Sequence, residues 1–264
     1  MALNKNELVL DRVRSLTTYN LATDQMLFRL TSLEDPSLQC SAEGEEVTDA
    51  VGALITTLYR AKQATFSATN SLISLDLAAA QYGSTKEVAS STDKILDRTY
   101  DILTVTGADG EVIKTKYTPK DKNKVLWIYS ILNNEIGTAY QAAATASATE
   151  FVISDQGVIT PPTGFTGKLY IEYDYETESA VRVVNKASEF PESCKLVIFV
   201  YFRDRCNDNI VYSGKIICPK AKLDPSQVEL ALTSTGKHAF TFNMMKDYCI
   251  EEGEDQLFSI IVSA

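Results

Sequence analysis

Residues 194–202 read CKLVIFVYF. As a β-strand this run places Leu196, Ile198, Val200 and Phe202 on one side and Val197, Phe199 and Tyr201 on the other, because successive side chains point to opposite faces. Both sides are apolar. A strand of this kind is covered twice: it lies in the interior of a sandwich, or it faces another subunit. The stretch LFSIIVSA (257–264) has the same character. What closes over these strands is therefore the first question the chain raises.

The pattern spreads outward from there. IVYSGKIIC (210–218), QVELALTS (227–234) and HAFTFNMM (238–245) read as further strands, with RDRCNDN, PKAKLDP, STGK and EEGED as breaks between the strands of this region. Upstream, YDILTVT, EVIKTKY, KVLWIYSI, EFVISD and KLYIEYDYE are short strand candidates, broken by GADG, PKDKNK, NNEIG and TPPTG. Near the N-terminus ELVLDRVRSL fits a short helix or a strand, and QMLFRLTSL alternates like a strand. The acid-rich run EDPSLQCSAEGEEVTD (34–49), with a Pro, a Gly and no base, reads as a loop. ALITTLYRAKQATFSATN (53–70) is β-branched and aromatic and suggests one or two strands.

One segment changes period. In NSLISLDLAAAQYG (70–83), Leu72, Leu75 and Ala79 fall on one helical stripe and Ile73 and Leu77 beside it. Asn70 or Thr69 is the expected N-cap and Gly83 the C-cap. The expectation is a mainly β fold, sandwich or barrel, with one flanking α-helix at about 70–83. It falls into an N-terminal part (1–98), a β-rich middle (99–178) and a C-terminal β part (179–264).

A chain of 264 residues is long enough for one large domain or two small ones. Its 45% hydrophobic and 23% charged content is that of a globular protein, not a disordered one. A net charge of -10 argues against a general basic field that would hold nucleic acid or an anionic membrane. No run approaches the 18 apolar residues of a membrane helix, and the N-terminus lacks the apolar core of a signal peptide. Five cysteines (Cys40, Cys194, Cys206, Cys218, Cys249), none in a C-x-x-C pair, read as free thiols.

The single histidine, His238, sits after STGK at the start of a strand and reads as a hydrogen-bonded structural residue. One histidine leaves almost no room for a hydrolase triad or a multi-histidine metal centre. No nucleotide-binding glycine motif, phosphate loop or nucleophile elbow is present, and no cofactor is expected. The carboxylates invite a closer look. IEYDYETE (171–178) puts Glu172, Asp174, Glu176 and Glu178 roughly 7 Å apart along one strand face. Four readings stay open: a catalytic carboxylate pair, a cation site, a solvated face, or a wall that repels anions.

Two blocks carry a resemblance. RAKQATFSATNSLISLDLAAAQYGSTKE (60–87) and CPKAKLDPSQVELALTSTGKHAFTFNMMKDYC (218–249) resemble tail tube (major tail) proteins of tailed bacteriophages. The first looks like a strand entering the family's helix, the second like its late hairpin with TSTGKH as the turn. The resemblance implies a tail-tube-like fold of packed sheets with a flanking helix. It implies a non-enzymatic virion subunit that forms hexameric rings stacked into a tube. The ring sheets would join into one barrel, in the phage tail after assembly in the host cytoplasm. Implied partners are the tape measure protein, other tail proteins and a sheath protein, with DNA passing through and no membrane.

On that reading unpaired acids line the bore, the candidates being Glu172, Asp174, Glu176 and Glu178, the cluster with Glu43, Glu45 and Glu46, and the cluster with Glu251, Glu252 and Glu254. Subunit contacts are expected at Leu196, Ile198 and Val200 and at Phe240 and Phe242. Two other classes compete: a capsid or decoration protein with an immunoglobulin-like domain, and an acid-rich carbohydrate-binding module or glycosidase.

Overall fold

A computed structural model of the chain describes residues 7–207, 209–230, 236–247 and 256–263. Strands take 57% of the chain and helices 5%, so the fold is mainly β with a single α-helix. The chain forms two compact units. Unit 1 is built from residues up to Lys86 and from Val183 onward, and unit 2 is the inserted stretch Glu87–Arg182.

Unit 1 opens with β1 (Leu8–Asn20), β2 (Met26–Leu30), β3 (Leu33–Thr48), β4 (Leu54–Asn70) and α1 (Leu75–Tyr82). Unit 2 then follows as β5 (Glu87–Val88), β6 (Ile95–Val105), β7 (Ile113–Lys114), β8 (Trp127–Leu132) and β9 (Glu135–Ala142). Its remaining strands are β10 (Glu150–Ile153), β11 (Val158–Thr160), β12 (Gly167–Thr177) and β13 (Val181–Arg182). The chain returns to unit 1 with β14 (Ser193–Asp204), β15 (Val211–Leu223), β16 (Glu229–Leu230), β17 (His238–Met244) and β18 (Ser259–Ser263).

In unit 1 the strands run in the order β2-β1-β14-β15-β17-β4-β3, with β16 added beside β17 and β18 beside β15. The sheet curls so that one face packs on itself. Leu16, Phe28, Phe66, Leu196, Ile198, Val200, Phe240 and Phe242 meet there with Leu77 of the helix. Unit 2 has its own sheet, β6-β12-β8-β9-β10-β11-β7, and its own core of Ile128, Phe151, Leu169, Ile171 and Tyr173. The strands that enter and leave it, β5 and β13, pair antiparallel with each other.

Two local expectations change. The run 34–49, read as a loop, is most of β3, paired with β4 from Leu33↔Asn70 to Thr48↔Leu54. Its Pro36 falls in the register shift between Glu34 and Ser37, where a missing N–H breaks no ladder bond. The helix starts later than expected. Strand pairing holds the backbone extended to Asn70, so Ser74 becomes the N-cap, its hydroxyl accepting from Leu77 N at 3.3 Å. Gly83 does close the helix, at φ 67. A Cβ there would lie 2.2 Å from the Phe190 carbonyl oxygen, so only glycine fits the turn and its neighbour.

His238 is structural, as expected, and fully buried. Its Nε2 lies 2.5 Å from Gln81 Oε1, and Gln81 in turn donates from Nε2 to the Ala239 carbonyl at 3.0 Å. This ties the helix to β17. Burial pushes the imidazole pKa below its ordinary 6.5. The unfolded chain therefore takes up the proton first as pH falls. Stability is full above about pH 6.5 and declines below it, by at most about 1.4 kcal/mol per pH unit. Urea midpoints at pH 7.5 and 5.5 should show this loss in the wild type and a smaller one in His238→Gln; equal losses would assign the acid sensitivity elsewhere.

Candidate assembly surface

The acidic stripe lies on the solvent side of β12, opposite the core side chains Leu169, Ile171 and Tyr173. It is not a bare wall. Arg98 of β6 pairs with Glu172 at 3.1 Å, Lys94 with Glu178 at 2.9 Å, and Lys120 with Glu176. The Tyr170 hydroxyl and then the Arg98 guanidinium hold the Glu172 carboxyl below the usual range. The reading of these acids as unpaired is thereby corrected for Glu172, Glu176 and Glu178. Bases from elsewhere in unit 2 meet them, a contact the alternation within one strand does not disclose. The recess beside them, lined by Arg98, Lys120, Glu172 and Asp174, holds about 70 Å³. Ligand pockets begin at roughly 300 Å³.

The five residues expected at subunit contacts are likewise turned inward. Leu196, Ile198, Val200, Phe240 and Phe242 are each at most 2% exposed. They form unit 1's own core, and a neighbouring subunit cannot reach them. Of the two apolar faces of β14, the one with Phe199 and Tyr201 is left half-open. The candidates Glu251, Glu252 and Glu254 lie outside the described residues.

Open surfaces also include strand edges and one arm. β17 pairs with β4 only from Ala64 to Asn70. Beyond that point β3 and β4 continue as a two-stranded ribbon with both faces in solvent. Its tip is closed by Asp49, whose Oδ1 accepts from Val51 N (3.0 Å) and Ala53 N (2.7 Å). The ribbon exposes Val51 (88%), Tyr59 (74%), Ile55 (64%) and Leu54 (58%). Glu43 faces Arg60 across it, Glu45 faces Leu58, and Glu46 faces Thr57. β18 forms a second open edge, paired only with β15 among the described residues and exposing Ile260 and Ile261. A bare ribbon of two strands is marginal in water, and an apolar edge is a template for another chain.

Reading the sequence residue by residue missed the arm, although a signal was there. The turn Asp49–Gly52 sits between two long runs that can both extend. The acid content of the first run hid its strand character.

The sequence matches the YomU/Tube protein family over residues 8–253. The chain belongs to that family. Direct comparison with curated proteins gives no match. Membership supports a phage tube-like structural protein and a place in the virion tail. Among the described residues no helix is long and apolar enough to cross a membrane.

Proposed function

We propose that the chain is the self-assembling subunit of a phage tail tube, stacking as rings around a bore through which DNA passes. Family membership supports the tube class, and one structural observation carries the reading further. The β3–β4 arm and the β18 edge hold apolar side chains in solvent where a monomer gains nothing from them. Each side chain of the Leu, Ile or Val type recovers about 1.5–3 kcal/mol when covered, so copies of the chain gain by associating along these borders. The subunit's charge of -10 fits a conduit for a polyanion, because a basic lining would trap DNA by releasing its counterions. The tape measure protein and the other tail proteins are the partners this reading implies.

Negative-stain microscopy of the concentrated full-length protein tests it. Hollow tubes or stacked rings are the expected result. A monodisperse monomer at every concentration, or a protein that binds expanded capsids instead, would end the proposal.

A further inference from the structure

Within an acidic chain, one face of unit 1 is basic. The outer side of β1, β2, β14 and β15 carries Arg12, Arg14, Arg29, Lys195 and Lys215. Four of these places follow from the register, in which Thr17 pairs with Arg29, Arg12 with Tyr201, Tyr19 with Lys195, and Phe199 with Lys215, while Arg14 falls in the register shift between Val13 and Ser15. Arg12 and Arg14 both lie over the Tyr201 ring at 5.6 Å. Lys195 is paired with Asp24 at 3.0 Å and Arg12 with Asp11 at 3.8 Å. Arg14, Arg29 and Lys215 have no ion-pair partner among the described residues, and all three are exposed. Between β1, β2 and β14 lies a groove of about 270 Å³, lined by Arg14, Ser15, Thr17, Tyr19, Met26, Arg29 and Phe199. Its floor is formed by the buried Ser15 and Thr17, with Tyr19, Phe199 and Met26 beside them and the exposed guanidinium groups of Arg14 and Arg29 around it.

Such a groove fits an extended, anionic segment with apolar side chains. The β3–β4 arm is a segment of that chemistry. From Glu43 to Arg60 it carries Glu43, Glu45, Glu46 and Asp49 against the single base Arg60, with Leu54, Ile55 and Tyr59 exposed beside them. Arg60 offsets only Glu45, at 3.2 Å. We propose that the acidic arm of one copy docks on the basic groove of β1, β2 and β14 in the next copy. This inference rests on the tube reading and adds the contact that joins neighbours. The contact is heterologous: arm and groove are different surfaces, at the β3 and β2 ends of the same sheet. Repeated, it generates a ring or an open helical stack. It assigns Glu43, Glu45 and Glu46 to a subunit interface and removes the basic face from the bore.

Charge reversal tests this in the full-length protein. Arg14→Glu/Arg29→Glu gives an acidic arm and an acidic groove. Glu43→Lys/Glu46→Lys turns the arm from a net charge of -3 to +1 and keeps the basic groove. Neither variant should form tubes alone, although each should melt like the wild type because the altered side chains are exposed. Mixed in equal amounts, the two should co-assemble, since every arm then finds a groove of opposite charge in the other variant. A mixture that stays monomeric while wild type forms tubes would overturn the docking alone. Wild-type protein that never assembles would overturn the tube reading beneath it. Retention of a duplex oligonucleotide by wild type, lost in Arg14→Glu/Arg29→Glu while tubes persist, would show that the face holds nucleic acid and would also overturn the docking.

Discussion

Excising residues 44–59 and joining Glu43 to Arg60 through an Asn-Gly turn is expected to give a folded, soluble monomer that forms no tubes. Glu43 and Arg60 already face each other across the ribbon, and Asn-Gly is the turn best suited to a two-residue hairpin. The removed residues are nearly all exposed, so the core of unit 1 loses almost nothing. Unfolding by urea should stay within about 0.5 kcal/mol of wild type, the usual range for surface changes away from special features. Assembly should be lost outright, because the excised stretch carries the exposed Val51, Leu54, Ile55, Leu58 and Tyr59 and three of the four arm acids proposed to dock on the next copy. Sedimentation velocity gives the readout. Tubes of normal length from the shortened chain would show that the arm is not an assembly element.

The second large effect is on stability. Phe242 is fully buried, with its ring 5.8 Å from Phe240 in an edge-to-face arrangement. Replacing it with Ala removes its burial and leaves a cavity in a sheet that cannot collapse, at about 3–5 kcal/mol. That is a large part of the roughly 5–15 kcal/mol that holds a domain folded. The damage should stay in unit 1, because the two cores share no residue. The chain's single tryptophan, Trp127, belongs to β8 of unit 2 and reports on it separately. In Phe242→Ala, far-UV circular dichroism should therefore fall in two steps, with tryptophan fluorescence following only the later one. Coincident loss of both signals would mean that the units unfold as one body.

The strands with strong alternation were legible without coordinates. The spacing in 171–178 put four carboxylates on one face, and β12 presents Glu172 and Glu176 to solvent as alternation requires. It could not show Arg98, Lys94 or Lys120 beside them, since these come from other parts of the chain. The same limit applies to β3. Its acids and its Pro-Gly content mark local preference for a turn, and pairing with β4 overrides that preference. In 70–83 the apolar spacing located the helix, and Gly83 located its end. Its start was set by β17, which pairs with β4 as far as Asn70 and keeps those residues extended.

The sequence by itself determined the β class, the places of most strands, one helix with its glycine stop, and an acidic chain with a lone structural histidine. These follow from periods of two and 3.6 residues and from side-chain chemistry, which are local properties. Only the tertiary structure decided which face of residues 196–202 is core, that the acidic run 34–48 is a strand whose far part, from Ser41, is half of an exposed ribbon, and that bases gather on one outer face. Each of these depends on which distant strand lies alongside, and that is fixed by hydrogen-bonded register and by how the sheet curls over its core.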